Sequence, residues 1–253
     1  MKNFYRTDLG CEKSASEKTK YHIFSREIDG ITAVFSVLRE TGKTENILMY
    51  TGKPYKYSRE YCSSVIGAVS DSISLLLGDK IKKYHSVLVC GLGNRLVTSD
   101  SLGPAVTDKL YPTVALEEYD TKIFLLSPGA EGQNGFSTFD NVKSAVELSE
   151  CELLIVIDSL CARSPERLSA TIQLSSTGIL PGSGVGNHKK EISKETLSVP
   201  VISIGVPTVS ELKVLSEGED IFFLSPSDID LCISSFADIL ASSIEKIFYR
   251  KRT

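Results

Sequence analysis

The chain has 253 residues, of which 42% are hydrophobic and 24% charged, with a net charge of −4 and a pI near 5.5. That length suffices for one α/β domain with a substantial buried core. The acidic balance offers no electrostatic footprint for nucleic acid or an anionic membrane surface, and no hydrophobic stretch approaches the length of a bilayer span.

Residues 1–20 are rich in Lys, Glu, Ser and Thr and read as a flexible arm, leaving 21–253 as a single domain. The opening MKNFYRTDLGCEK has no apolar signal core, so an intracellular protein is expected. HIFSREIDGITAVFSVLRE reads as two strands joined by a turn at Asp29-Gly30, and 46–50 adds a third, giving a β-rich N-terminal extension. Val65, Val69, Ile73, Leu76 and Leu77 then recur at helical spacing. The apolar run Val87 to Cys90 predicts a buried strand, followed by the turn GLGN, a polar loop carrying Asp100, and a helix over 104–111 with Pro104 in its first turn.

Lys122 to Leu126 predicts a strand, SPGAEGQNGF a loop, and Asn141 to Leu148 a helix. Leu153 to Ile157 is apolar at every position, as a central parallel strand must be, and ends at Asp158. Strands are expected over 167–174 and 199–206, separated by a glycine-rich loop. Ile229, Ile233, Phe236, Ile239, Leu240 and Ile244 mark a long amphipathic helix over 228–249. The alternation predicts an α/β fold with a mostly parallel central sheet flanked by helices. The strands near 86–90, 122–126, 153–157 and 200–206 should share one sheet, carboxyl ends on one side.

Six cysteines, Cys11, Cys62, Cys90, Cys151, Cys161 and Cys232, are scattered without a CxxC pair, several inside apolar runs. They read as small hydrophobes in a reducing cytosol rather than as a disulfide framework or a zinc site. No cofactor is expected. GxxxxGK[ST] is absent, Leu96 stands where a dinucleotide fingerprint needs its last glycine, and there is no HExxH. Ser99, Ser101 and Ser159 adjoin the aspartates, but His22, His85 and His188 form no triad spacing with them.

Asp100 and Asp158 each follow a buried strand, so both are expected at the carboxyl edge of one sheet. A lone aspartate there is more often a cap or turn former; a pair can divide acid and base work, one ionised and drawing a proton from water, the other protonated and polarising a carbonyl. Gly182, Ser183, Gly184, Gly186 and Asn187 lie in PGSGVGN, whose alternating glycines suit backbone donors facing an oxyanion or peptide, or simply a tight turn. Arg163 and Arg167 flank the second aspartate in CARSPER and suit either a carboxylate contact or a surface ion pair. Asp108, on the helix after Asp100, has no expected role.

The segment GLGNRLVTSDSLGP resembles that of the germination protease family of spore-forming bacteria. The likeness continues through SPGAEGQNGF, IVIDSLCARSPERLSATIQLSSTGILPGSGVGN and KEISKETLSVPVISIGVPTV, and returns weakly at Leu224-Ser225-Pro226. Near the start, Arg6-Thr7-Asp8-Leu9 resembles the segment around which that family's precursor is processed. One departure is plain: the family carries a sizeable insertion after IGVPTV, and this chain has little there. The resemblance implies a phosphorylase/hydrolase-like fold and an unusual aspartic-type endopeptidase made as a zymogen. Asp100 and Asp158 match its two proposed catalytic acids. It also implies small acid-soluble spore proteins as substrate, hydrolysed during germination, and a cytoplasmic place in the forespore or spore core. It leaves self-association open. Two alternatives stand beside it. The arrangement also resembles hydrogenase maturation endopeptidases, where Asp100 and Asp158 would match two of three nickel-ligand positions, the third, a histidine, having to come from elsewhere, with His188 the only candidate in a suitable loop. A non-catalytic binding relative is the other.

Overall fold

The computed structural model describes residues 20–130, 135–162, 164–182, 190–213 and 221–252. The N-terminal arm with its Arg6 to Leu9 segment, Arg163, and Ser183, Gly184, Gly186, Asn187 and His188 lie outside the described residues. The chain runs β1 (Tyr21–Ile28), β2 (Ile31–Leu38), β3 (Thr44–Tyr50), α1 (Arg59–Leu77), β4 (Ser86–Gly91), α2 (Leu102–Lys109) and β5 (Lys122–Leu126). It continues through α3 (Thr138–Ser149), β6 (Leu153–Ala162), β7 (Thr171–Ser175), α4 (Lys194–Leu197), β8 (Val201–Lys213), β9 (Ile221–Leu224) and α5 (Ile229–Phe248).

One mixed sheet joins these nine described strands in the order β1-β2-β3-β7-β8-β6-β4-β5, with β9 on the outer part of β8. Its core, β8-β6-β4-β5, is parallel, as the strand–helix alternation predicts. The β-rich extension continues this same sheet. Asp29 (φ 50) and Gly30 (φ 79) make the left-handed two-residue turn that Asp-Gly favours, and the antiparallel β1-β2-β3 meander joins the core through β7.

The uniformly apolar run of β6 is explained by two cores. Leu153, Ile155 and Ile157 pack in one with residues of α1, α2 and α5, and Leu154, Val156 and Leu160 in the other with residues of α3 and the Ile179/Ile192 pair.

Four boundaries differ from expectation. The expected strand over 167–174 is β7 at 171–175, because Pro165–Arg167 forms a 3-10 turn and Ser169 takes a left-handed φ of 51. Helix α3 starts three residues early, where the Ser137 hydroxyl accepts the Asp140 N–H at 3.1 Å. Helix α2 spans 102–109 rather than 104–111. Strands β6 and β8 outrun their predicted ends, pairing as far as Ala162↔Ser210 past an irregularity at Leu160/Cys161.

A charged cluster fastens the chain after β3 to the start of α5. Lys53 Nζ reaches both Asp228 carboxylate oxygens at 2.7 and 2.9 Å, and the Tyr55 hydroxyl donates to the same carboxylate. Lys53 first, then Tyr55, hold the Asp228 carboxyl at about 2, below its ordinary 3.8, and the partnership pushes the Tyr55 phenol up to about 12. Asp228 therefore favours the folded state above pH 3.8, and that contribution is lost as pH falls through about 2. Asp228→Asn is expected to lower the urea midpoint at neutral pH. The gap to the parent should close between about pH 4 and about pH 2; a gap that persists at the acid end contradicts the assignment.

Candidate active site

The carboxyl edge of the parallel core is shaped by where β4 stops. Its last pairing is Gly91↔Ile157, and the Leu92 N–H still donates to the Ile157 carbonyl at 2.8 Å before the chain turns away. Gly93 then takes a φ of +116, and a Cβ there would lie 2.0 Å from the Asp100 carbonyl oxygen and 3.1 Å from Asp100 Oδ1. The segment from Asn94 to Ser101 folds back on this glycine as a closed knot. Asn94 N–H donates to the Asp100 carbonyl at 2.9 Å, Asp100 N–H to Val97 at 2.8 Å, and Val97 N–H to Asn94 at 3.1 Å. The Asn94 side-chain oxygen accepts the Leu96 N–H at 2.9 Å. Asp100 is thus fixed above the end of β4 by its own backbone.

Helix α2 locks this knot against the sheet. A Cβ on Gly91 would meet the Gly103 carbonyl oxygen at 2.1 Å, and one on Gly103 would meet Leu92 backbone atoms at 2.3 and 2.5 Å. Neither site admits a side chain, so the helix start sits directly on the strand end. Asp108, one and a half turns on, holds Arg95 in a two-pronged ion pair, Nη2 to Oδ1 being 2.8 Å. Asp108, given no role from the sequence, here makes a surface ion pair to the loop that carries Asp100. The pairing lowers the Asp108 carboxyl below the usual range and raises the Arg95 guanidinium.

Asp158 does not end a strand, as the sequence suggests, but sits within β6 opposite Gly205 of β8. It is 8% exposed, and its Oδ1 accepts the following Ser159 N–H at 2.9 Å. Burial, with the Asp158 charge adding to it, pushes the Cys90 thiol well above its ordinary range, so Cys90 is an inert core thiol in reach of that carboxylate. The turn carrying Asp100 comes within 8 Å, Cα to Cα, of both β6 and β8. Asp100, past the end of β4, and Asp158, within β6, thus lie toward the same end of the parallel core.

Of the glycine loop only its feet are described. Ile179 and Ile192 exchange backbone bonds of 2.9 and 2.8 Å, and Gly182 adopts a φ of 69. Arg167 lies in the turn before β7. Among the described residues no group of three His, Cys, Asp or Glu side chains could hold a metal ion.

Two features escaped the sequence. One is the Lys53–Tyr55–Asp228 cluster, whose aspartate lies 175 positions from Lys53 and 173 from Tyr55 and is linked to them by no spacing rule. The other is Gln173, wholly buried in β7, in line with Gly205 and Asp158 across the sheet; among the described residues neither its amide oxygen nor its nitrogen has a hydrogen-bond partner. The hydroxyls of Ser159, Ser203 and Thr208 on the adjoining strands are likewise buried and unpartnered.

The fold is that of an α/β protein with a parallel core, one aspartate just past the end of β4 and another within β6. A family model described as germination protease matches residues 56–225, which takes in both aspartates. A germination protease of a Geobacillus species is 41% identical over 234 residues, covering 81% of this chain and 63% of that protein. One of Clostridium perfringens is 35% identical over 237 residues, covering 83% and 72%. One of Bacillus pumilus is 49% identical over 159 residues, covering 59% and 43%. The chain belongs to the germination protease family. Among solved structures, a hydrogenase maturation protease, HycI, of Thermococcus kodakarensis overlaps 70% of this chain and 99% of its own at 14% identity, with a TM-score of 0.43, too low to define a shared fold.

Gly103→Ala is expected to destabilise the protein by about 1–3 kcal/mol or more, because its new Cβ meets backbone rather than a movable side chain. Chemical denaturation measures it, and wild-type stability would show that strand end and helix do not touch as described.

Proposed function

We propose that the protein is an endopeptidase that hydrolyses small acid-soluble spore proteins during germination, with Asp100 and Asp158 as an aspartic-type catalytic pair. The observation that carries this reading is the placement of both acids on one edge of the parallel core, inside the segment matched to the germination protease family.

In this mechanism one carboxylate is ionised and takes a proton from water, while the other, protonated, donates to the oxygen of the scissile carbonyl. Attack on the carbonyl carbon gives a tetrahedral intermediate. Collapse of that intermediate breaks the C–N bond, and the first aspartic acid returns its proton to the leaving amine. Backbone donors of the 182–187 segment, Gly182 to Asn187, are assigned to the developing oxyanion, with Arg163 assigned to the substrate. The tight bonding around Asp100 supports the reading, since a positioned carboxylate has little reorganisation left to make in the transition state.

Asp100→Asn and Asp158→Asn keep the shape and remove a proton acceptor. Each is expected to cut kcat on a purified small acid-soluble spore protein by about two orders of magnitude or more, with KM little changed. Asp79→Asn, an exposed acid in the turn after α1, is the control and should cleave at the parental rate. Near-parental cleavage by both site variants would overturn the pair.

A further inference from the structure

The most exposed apolar strand in the described molecule is β9. Phe222, Phe223 and Leu224 are 51%, 39% and 49% exposed, so both faces of the strand are open. It pairs only with β8, through Leu224↔Ser210 to Ile221↔Lys213, and among the described residues its other edge has no partner. The strand sequence IFFL carries none of the lysines, prolines or bulges that usually blunt such an edge. An open edge with alternating apolar side chains is the ground on which an extended polypeptide adds as a further strand.

We infer that β9 is an exosite for the substrate, which adds as an antiparallel or parallel strand to its free edge while the scissile bond lies at Asp100 and Asp158. This rests on the peptidase reading above. Two observations favour substrate over a second copy of the chain. First, β9 hangs on the strand that borders Asp158: Gly205 faces Asp158 and Ser210 faces Leu224. The five steps along β8 from Gly205 to Ser210 span about 17 Å. Strand β9 flanks β8 on the side away from β6, so a strand on its free edge lies about 14 Å across the sheet as well, a reach that an extended substrate of about seven residues covers. A polypeptide held at the aspartates therefore meets β9 at high effective concentration, and a short contact suffices. Second, β9 has four residues, about 13 Å of edge. Pairing two such edges buries far less than the roughly 1,200–2,000 Å² of a stable interface between copies.

The test is the double variant Phe222→Asp/Phe223→Asp, with Phe223→Leu as the conservative partner. Against a purified small acid-soluble spore protein the double variant should raise KM by about ten-fold or more at unchanged kcat, and Phe223→Leu should restore most of the affinity. Cleavage of a hexapeptide spanning the mapped cleavage point, too short to reach β9, should be unchanged. Should the wild type cleave nothing, the peptidase reading fails by itself; β9 is then judged by fluorescence anisotropy of the labelled spore protein, which the double variant should weaken equally. Three results overturn the proposal. These are an unchanged KM and binding constant, an equal loss on protein and hexapeptide, or sedimentation showing a wild-type dimer that the double variant dissolves in step with the KM change.

Discussion

The contact between Gly91 and Gly103 is the constraint on which the candidate site depends. Two backbones meet there with no room for a single carbon on either side, at the point where β4 ends and α2 begins. That approach fixes the length of the intervening loop in space, so the nine residues from Leu92 to Asp100 must fold into a knot closed by their own N–H and C=O groups. Gly93 completes the constraint, since its positive φ brings Asp100 back over the strand end. Helix α2 then carries Asp108 to Arg95 and packs on α5, so the position of one carboxylate is tied to the main core.

The second carboxylate is held by different means. Asp158 belongs to a strand buried on both faces, and β8 runs beside it for the whole of its length. Past Gly91, among the described residues, β4 no longer runs beside β6, and buried polar side chains lie along this part of the sheet: Ser159 on β6, Thr208 on β8 and Gln173 on β7. The Lys53–Tyr55–Asp228 cluster ties the chain after β3 to the start of α5, so that helix is held by the N-terminal extension as well as by the core.

Much of this was legible in the residues. The apolar runs at 87–90 and 153–157, the Asp29-Gly30 turn and the helical stripe of α5 predicted their elements because each buries a face with a clear period. Asp100 and Asp158 stood out from strand ends and family likeness together. What periodicity could not show was partner-dependent. Strand β6 runs on past Asp158 only because β8 continues alongside it, and β9 exists only as an addition to β8. Ser169 cuts β7 short through a left-handed backbone that a serine gives no warning of. Asp108 looked idle because its partner lies thirteen residues back across a loop, and Gln173 looked like any strand residue until the sheet aligned it with Asp158.

The central claim is that the two carboxylates act as one unit, and the double variant Asp100→Asn/Asp158→Asn tests it most directly. Its kcat/KM on a small acid-soluble spore protein is compared with those of the two single variants. A pair that shares one water and one proton predicts that removing the second acid costs little once the first is gone, so the double variant should be about as slow as the slower single one. Losses that multiply, each variant contributing its full factor independently, would contradict a shared site and leave two separate aspartates on one edge of a sheet.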